Sequence, residues 1–593
     1  MRTNLLYILI FLIGFSAVAQ DQQLANQYFR DGKFEKAAAV YKELYDSKKH
    51  STHYFKNLLK CWYALQEFEK AENLIAARFK THPKQAFLWV ELGYANQLQH
   101  KDSLANIYYE KAALALQKKP SSGYTIAKSF YDNHLLDYAL DAYQLMIKEV
   151  PSANYNYQIA AIYGELGDIE AMFDTYLDMI THRGGKITNI QRFIGRYVTS
   201  DSQDANNIIF RKLLIKRLQE DPQDEWNQLL SWLYIQQKEY AKALRQEKAV
   251  HKRSNITLDG IINVGKIAFE ALDFVTSTYA FDYVVANTSD RELQLFAHYF
   301  LLESDRKINT NKINVALHYE KILEEYGLGN ISHEIQVSYA DFLTFDMNNP
   351  AQAIEVLNAS LENRLTPYQK AKVKIQLGDI MVFTGKYNQA LILFSQVQTK
   401  LKNHPLAQEA RYKVARTSYF RGDFDWANIQ LKVLKRGTTK LIANDALDLS
   451  LLIDDNIAQD SVRTALKSYA MAELLSYQNK NQEAIDTLAQ VLIKHKGHPI
   501  EDEALFAQAK LYETLDQYDL AAQNYLKIID LKENDILIDD ALYHLAQCYD
   551  NELNQPEKAK IYYEKIVFEQ GSSIYLVTAR KRYRLLRGDE LVP

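Results

Sequence analysis

The sequence predicts an all-α protein in which helical hairpins stack in series as an α-solenoid with a right-handed superhelical course. Small residues recur at fixed intervals along most of the chain, and the apolar residues around them recur at helical spacings of three and four. Glycine and proline are scarce, at 20 and 10 of 593 residues, so the chain has little of the turn chemistry that a β-rich fold needs. These observations together favour repeated helix pairs.

The first 20 residues have the pattern of a secretory signal. Arg2 precedes an apolar run from Leu5 to Ile13, and Ala17-Val18-Ala19 provides an A-x-A cleavage pattern. The apolar run is shorter than the ~20 residues that a membrane-spanning helix needs. We therefore predict that residues 1–19 are a cleaved signal peptide, with an uncleaved N-terminal anchor as the alternative. The mature protein is then expected in an exported compartment, the bacterial periplasm.

Composition and charge argue against several classes of protein. The formal net charge is −4 and the pI is about 6.4, whereas nucleic-acid binding normally requires a strong basic excess, so no nucleic-acid partner is expected. After the first 20 residues, no stretch is long and apolar enough to span a bilayer. Two cysteines, Cys61 and Cys548, are too few for a disulfide scaffold and are interpreted as buried thiols. Neither lies near the predicted cleavage point, so a lipid anchor is not expected.

The repeat is visible as a series of alanines 34 positions apart: Ala37, Ala71, Ala105 and Ala139. A second small residue usually lies 12 positions before the alanine. The pairs are Ala25/Ala37, Gly93/Ala105, Ala127/Ala139, Ser231/Ala243, Gly265/Ser277, Gly378/Ala390, Ala415/Ala427, Ala472/Ala484 and Ala509/Ala521. Two helices joined by a short turn cross closely only where small residues meet, because a larger side chain would overpack the contact. Each pair therefore predicts a helix–turn–helix hairpin.

This pattern resembles the tetratricopeptide repeat. One unit carries most of that family's signature: Trp89, Leu92, Gly93, Ala105, Tyr109 and Ala112. The match covers most of the chain and is weak at about 184–225, 286–350 and 436–466. Toward the C-terminus the interval lengthens, with Ala521 and Ala559 38 positions apart, and these units resemble those of bacterial proteins in envelope assembly and cell division.

The resemblance divides the chain into consecutive segments. We expect an N-terminal repeat array at 20–183, degenerate helical repeats at 184–365, further repeat units at 366–436, an insertion or degenerate hairpin at 437–466, and C-terminal units at 467–593. The segment Ala579–Gly588 is rich in basic residues and is interpreted as a polar capping helix, which terminal repeats need for solubility.

The resemblance also implies a binding face, because in this family the first helix of each hairpin lines the concave surface. The matched positions are Asn26, Phe29, Arg30, Lys56, Lys60, Tyr63, Val90, Tyr94, Gln97, Tyr124, Lys128 and Tyr131. Tyrosine and lysine dominate this set, which suits an extended peptide; packing between neighbouring hairpins is the alternative role for each tyrosine. Some relatives grip a C-terminal carboxylate, but Phe87 and Glu91 stand where such a clamp needs cations, so no clamp is expected.

The catalytic, metal-binding and phosphate-binding motifs that the sequence suggests are all incomplete. His333-Glu334 begins like a zinc-protease helix, yet Val337 occupies the place of the second histidine. Gly184-Gly185 lacks the rest of a phosphate loop, and the acidic pair Asp539-Asp540 cannot converge on one side of a helix. We therefore expect no catalytic, metal or cofactor site.

The leading functional hypothesis is a non-enzymatic protein-interaction scaffold in the bacterial cell envelope. Two alternatives stay open. One is a module that binds peptidoglycan or another glycan through its tyrosine-rich face, and the other is a component of an outer-membrane assembly or secretion machine. Peripheral association with the envelope is compatible with all three.

Overall fold

The computed structural model describes residues 21–150, 154–183, 185–254, 257–434, 440–457, 463–531 and 537–589. The predicted signal peptide, residues 1–19, lies outside this range. The described residues form helices and turns and contain no strand, which confirms the predicted all-α class of serial helical hairpins. None of the helices found in these ranges has the length and apolar character required to cross a membrane. The chain divides into two compact units, Met1–Gln237 and Lys238–Pro593, and each is described by itself.

The first unit consists of helices that pack mainly on their neighbours along the chain. Its helices are α1 (residues 21–30), α2 (Phe34–Ser47), α3 (Thr52–Ala64), α4 (Phe68–Thr81), α5 (Phe87–Gln97), α6 (Asp102–Lys118), α7 (Tyr124–Asp132), α8 (Leu136–Glu149), α9 (Asn156–Leu166), α10 (Ile169–Arg183), α11 (Ile187–Ile194), α12 (Ala205–Glu220) and α13 (Asp224–Gln236). A single 3-10 turn, Pro120–Ser122, precedes α7.

The second unit continues the same arrangement with longer helices. Its helices are α14 (Tyr240–Ser254), α15 (Asp259–Glu270), α16 (Phe274–Ala286), α17 (Arg291–Ile308), α18 (Lys312–Tyr326), α19 (His333–Phe345), α20 (Pro350–Glu362), α21 (Pro367–Phe383), α22 (Tyr387–Lys400), α23 (Pro405–Phe420), α24 (Phe424–Leu434), α25 (Lys440–Ile457), α26 (Thr464–Tyr477), α27 (Asn481–Lys494), α28 (Ile500–Thr514), α29 (Tyr518–Leu531), α30 (Ile538–Gln547), α31 (Pro556–Glu569) and α32 (Leu576–Arg587). A π-helical segment, Cys548–Glu552, follows α30.

Two of the regions with a weak sequence pattern have distinct structures. Residues 286–350 contain two helix pairs, α17 with α18 and α19 with α20, where Val315 fills the site of the usual alanine and is 1% exposed. Residues 437–466 contain one long helix, α25, between the α23–α24 pair and the α26–α27 pair. The first region is therefore a degenerate repeat in sequence only, whereas the second adds a helix to the series.

The small residues lie where the two helices of a hairpin cross. Ala37, Ala105 and Ala390 are each at most 1% exposed. At Gly93 an added Cβ would lie 2.6 Å from Cδ1 of Tyr109, and at Gly378 it would lie 2.6 Å from Cζ of Phe394. Each ring belongs to a residue 16 positions later, on the second helix of the same hairpin. The spacing in the sequence thus reflects a steric limit on the approach of the two helices.

One residue with positive φ lies in most hairpin turns, and it is often not glycine. Gly32 and Gly385 have φ values of 70° and 74°, while Leu272, in the turn between α15 and α16, has φ 64° with 73% of its side chain exposed. A left-handed conformation costs an ordinary residue about 1–2 kcal/mol, and glycine avoids that cost. Leu272 therefore has a strained backbone conformation, and its exposed side chain gains no burial energy that would offset the strain.

We expect Leu272→Gly to stabilise the α15–α16 hairpin by about 1 kcal/mol, because it removes this strain and loses little apolar burial. Slower amide hydrogen exchange in α15 and α16 would report the change, since hairpins of a repeat array open locally. The matched control is Gly385→Ala, which has no atom within 4 Å of the new Cβ and should shift exchange in the opposite direction. Unchanged or faster exchange in Leu272→Gly would contradict the assignment of strain.

The two cysteines are free and buried. Burial raises the pKa of each thiol to about 12, and at Cys548 the carboxylate of Glu513 adds to the rise. Both thiols are therefore protonated at neutral pH, which agrees with their interpretation as structural apolar residues.

The last described helix, α32, departs from the repeat pattern on one side. In α30, Leu542 and Ala546 are buried by 99% or more. The residues 38 positions later are Arg580 and Arg584, and both are exposed. Burying two unpaired arginines under a further helix costs several kcal/mol. This side of α32 is therefore suited to solvent or to an anionic partner.

Candidate partner-binding face of the N-terminal unit

The twelve predicted site residues all lie on first helices of hairpins in the first unit. Helix α1 carries three of them, α3 three, α5 three and α7 three. Neighbouring first helices bring some of these side chains together, since the rings of Tyr63 and Tyr94 meet edge to face with centroids 5.3 Å apart. Helices α5 and α7 also contact each other directly. We call this side of α1, α3, α5 and α7 the first-helix face.

A network of charges crosses the first-helix face from α3 to α7. Lys56 Nζ lies 3.1 Å from Asp132 Oδ2 and 3.6 Å from Glu91 Oε1, and Lys128 Nζ lies 2.9 Å from Asp132 Oδ1. The side chain of Glu91 is only 4% exposed and that of Lys56 is 16% exposed. Because these charges are removed from water, their pairing is worth more than that of a surface ion pair. The network therefore fixes the mutual position of three first helices.

Hydrogen bonds complete the network around the buried carboxylate of Glu91. Ser129 Oγ donates to Oε1 of Glu91, and Asn133 Nδ2 donates to Oε2 at 3.2 Å. Glu91, Asp132 and Asn133 were not among the predicted site residues. A sequence signal could have identified Glu91. Lys56 and Glu91 have opposite charges and are 35 positions apart, about one repeat, which places them on neighbouring first helices.

The pKa of the Asp132 carboxyl is lowered by this arrangement. Burial alone would raise that pKa, but the ammonium groups of Lys56 and Lys128 act in the other direction and outweigh burial. Asp132 is therefore ionised at neutral pH, and Lys56 is committed to the internal network.

Hydrogen bonds from tyrosine hydroxyl groups stabilise the first-helix face. Tyr63 donates to the backbone oxygen of Glu91 at 3.2 Å, and Tyr131 donates to the carboxylate of Glu165 on α9. Burial raises the pKa of Tyr63 well above its ordinary value, with the charge of Glu91 adding to the rise. These two residues therefore have a packing role as well as a position on the face.

Buried tyrosines on second helices reach through the hairpin to polar groups of the first helix. Tyr41 on α2 donates to Asn26 Oδ1 at 2.5 Å, and Tyr109 on α6 donates to Gln97 Oε1 at 2.6 Å. Both rings are nearly inaccessible, at 1% and 2% exposure, and burial raises the pKa of Tyr41 to about 12. The amide oxygens of Asn26 and Gln97 are thus occupied, while their amide nitrogens are left for a partner.

The predicted residues differ in their availability to a partner. Arg30, Gln97, Tyr124 and Lys128 are exposed, with Tyr124 41% accessible. Val90 is fully buried, so its prediction as a partner contact was wrong: α5 is enclosed on most sides, and Val90 packs into the core. The other members are partly buried, and Phe29 packs edge to face on Phe34 with ring centroids 5.2 Å apart.

Within the described residues, no group of three or more histidine, cysteine or carboxylate side chains is placed to hold a metal ion. The first-helix face instead combines exposed hydrogen-bonding and aromatic side chains with an internally neutralised charge network. Such a surface is suited to non-covalent recognition.

Comparisons with known proteins identify the repeat in the C-terminal part of the chain. Tetratricopeptide-repeat family models match residues 469–536 and 540–567. The crystal structure of yeast Tom70 is similar at 16% identity over 95% of this chain and 99% of that chain, with a TM-score of 0.29. A tetratricopeptide repeat protein from Parabacteroides merdae is similar at 14% identity over 49% of this chain and 98% of that chain, with a TM-score of 0.25. No curated protein matches the chain in sequence. The chain therefore contains tetratricopeptide repeats, a helical unit that supports protein–protein interaction.

Proposed function

We propose that this protein is a non-enzymatic scaffold that binds other proteins along its first-helix face, and that it acts after export in the bacterial cell envelope. The proposal depends on one observation: the same face combines exposed side chains with helices that are held in place by ion pairs. Arg30, Tyr124 and Lys128 are exposed on α1 and α7. The part-buried ion pair of Lys56 and Asp132 ties α7, which presents Tyr124 and Lys128, to α3. A preorganised face loses less conformational entropy on binding.

The face favours an extended protein segment as its occupant. The free amide nitrogens of Asn26 and Gln97 can donate to backbone carbonyl groups, and Tyr124 offers an aromatic surface with few rotatable bonds. Because the first helices come from consecutive hairpins, one segment can contact several of them in turn. This arrangement matches the interaction role that tetratricopeptide repeats support.

The combined substitution Arg30→Ala, Tyr124→Ala and Lys128→Ala tests the binding face. We expect recovery of crosslinked partners from the native envelope to fall roughly tenfold or more, because each exposed anchor contributes about 1 kcal/mol. The melting temperature should change little, since all three side chains are exposed. In the part of the chain that the structure describes, an ion pair is found for Lys128 alone among them, with a carboxylate that Lys56 also holds.

A matched control replaces three exposed residues of the second helix α6, by Glu110→Ala, Leu114→Ala and Lys118→Ala. This control should keep its partners. Ala105→Leu should instead lower stability by ~1–3 kcal/mol through overpacking of the helix crossing. Equal partner recovery from the first-helix variant and the α6 control would contradict the assignment of the first-helix face as the binding surface.

Export is tested separately at the N-terminus. When the chain is expressed in a Gram-negative host, N-terminal sequencing of the periplasmic protein should begin at Gln20, because the A-x-A pattern ends at Ala19. Recovery of the intact N-terminus, or retention of the protein in the cytoplasm, would contradict the proposed location without affecting the proposed binding face.

A further inference from the structure

The surface around α32 carries apolar and cationic side chains that the repeat does not explain. Phe568, Ile574 and Val577 are 70%, 83% and 77% exposed, and they lie within ten residues of one another along the chain. Phe568 contacts α32, since its ring meets that of Tyr583 edge to face with centroids 6.1 Å apart. Exposed apolar side chains of this size usually mark an interaction surface when they occur together.

Cations share the face of α32 that begins at Val577. Residues at helical positions i, i+4 and i+7 lie on one stripe, which here places Val577, Lys581 and Arg584 together, with Arg580 beside them. Ala579 and Tyr583 lie on the opposite side and are buried. The outer face of α32 is therefore apolar at its first turn and basic over the following two turns.

These three cations have no ion pair among the described residues, unlike their neighbours. Arg582 pairs with Asp550 at 2.6 Å, and Arg587 pairs with Asp589. Within the described residues no carboxylate lies within 4 Å of the charged group of Arg580, Lys581 or Arg584, although Asp589, which pairs with Arg587, also attracts Arg584. All three cations are exposed. Their positive charge is thus directed to the surroundings of the protein.

We propose that the outer face of α32, with the adjoining loop that carries Ile574, binds an anionic lipid surface. Binding to a membrane surface needs two signals, a small apolar insertion and several basic residues that attract anionic headgroups. Ile574 and Val577 supply the insertion, and Arg580, Lys581 and Arg584 supply the charge. A few highly exposed apolar side chains satisfy this requirement, whereas a stable protein interface needs about 800 Å² from each partner.

This binding would place the scaffold at the membrane without a spanning helix, and it is independent of the first-helix face. Vesicle cosedimentation tests it with the chain beginning at Gln20, which keeps every described helix and lacks the apolar N-terminal run. We expect binding to phosphatidylcholine vesicles that contain about one-third phosphatidylglycerol and no binding to pure phosphatidylcholine vesicles. Binding should weaken as salt is added.

Two sets of substitutions separate the two signals. The variant with Arg580→Gln, Lys581→Gln and Arg584→Gln should bind about a hundredfold more weakly, from roughly 1 kcal/mol for each cation near the surface. The variant with Ile574→Ser and Val577→Ser should lose about tenfold or more. Far-ultraviolet circular dichroism should stay unchanged for both, because all five side chains are exposed.

Matched controls remove the same charge and apolar area elsewhere in the second unit. The control for charge carries Lys386→Gln, Lys400→Gln and Lys402→Gln, and the control for apolar area carries Ile493→Ser and Ile561→Ser; all five residues are exposed. Both controls should bind vesicles like the unmodified protein. Failure of the unmodified protein to bind the anionic vesicles, or equal losses in the controls and the α32 variants, would overturn the proposal.

Discussion

Replacing Arg78 with methionine is expected to destabilise the first unit by about 3 kcal/mol. Arg78 lies in the last turn of α4 and is 1% exposed. Its guanidinium donates to the backbone oxygens of Lys49, Ser51 and His50 at 3.2–3.4 Å, all in the connection between α2 and α3. Methionine keeps most of the buried volume and removes every donor. A hydrogen bond from a charged donor contributes about 1.5–3 kcal/mol, and water at this exposed connection can replace part of what is lost.

The effect of Arg78 extends to side chains on both sides of the connection. Nε donates to Gln85 Oε1 at 2.8 Å, Nη2 donates to Thr52 Oγ1 at 3.0 Å, and the guanidinium lies 4.5 Å from the centroid of the Phe55 ring. A planar group with five donors meets these acceptors at once, which a lysine ammonium cannot do. We therefore expect Arg78→Lys to recover only part of the stability that Arg78→Met loses.

Urea unfolding gives the total loss, and amide hydrogen exchange locates it in α2, α3 and α4. The matched control is Arg30→Met, because Arg30 is an exposed arginine in the same unit and should change stability by less than about 0.5 kcal/mol. A loss below about 1 kcal/mol in Arg78→Met would mean that water replaces the guanidinium in the connection.

The hairpins were predictable from sequence because their spacing follows from a short-range steric rule. Two helices joined by a turn must cross where both side chains are small, so Gly93 and Ala105 occur at a fixed separation and both are buried. The α17–α18 hairpin was harder to recognise in the sequence because Val315 replaces the small residue at its crossing and is still buried. The pattern therefore identified pairs of helices wherever the small residues are kept.

The details of the candidate face were harder to predict from the sequence, because they depend on contacts between hairpins. Helix α5 is buried on several sides, so periodicity did not show that Val90 points into the core. The carboxylate of Glu91 is buried because Lys56 on α3 and Asn133 beyond α7 approach it from neighbouring hairpins. Likewise Arg78 looks like a surface cation in sequence, and its burial depends on the path of the connection from Lys48 to Ser51.

Replacing Gly378 with alanine is expected to destabilise the second unit by ~1–3 kcal/mol, although the same change in an exposed helix usually stabilises. Alanine normally gains up to 1 kcal/mol over glycine within a helix. At Gly378 the added Cβ would lie 2.6 Å from Cζ of Phe394, and Phe394 is fully buried on α22. Relief requires either a ring rotation out of a packed site or a wider separation of α21 and α22, and both lose packing.

A double-mutant cycle distinguishes this overlap from any general effect of alanine on α21. Phe394→Leu alone should destabilise because it leaves part of the ring's volume empty. In the presence of Phe394→Leu, the cost of Gly378→Ala should largely disappear, since Cε1 and Cζ, the two ring atoms nearest to the added Cβ, are gone. The coupling energy from urea unfolding should therefore be about 1 kcal/mol or more in favour of the double variant. Additive losses would mean that the cost of Gly378→Ala does not come from contact with the Phe394 ring, and the close crossing would then have to be explained by something else.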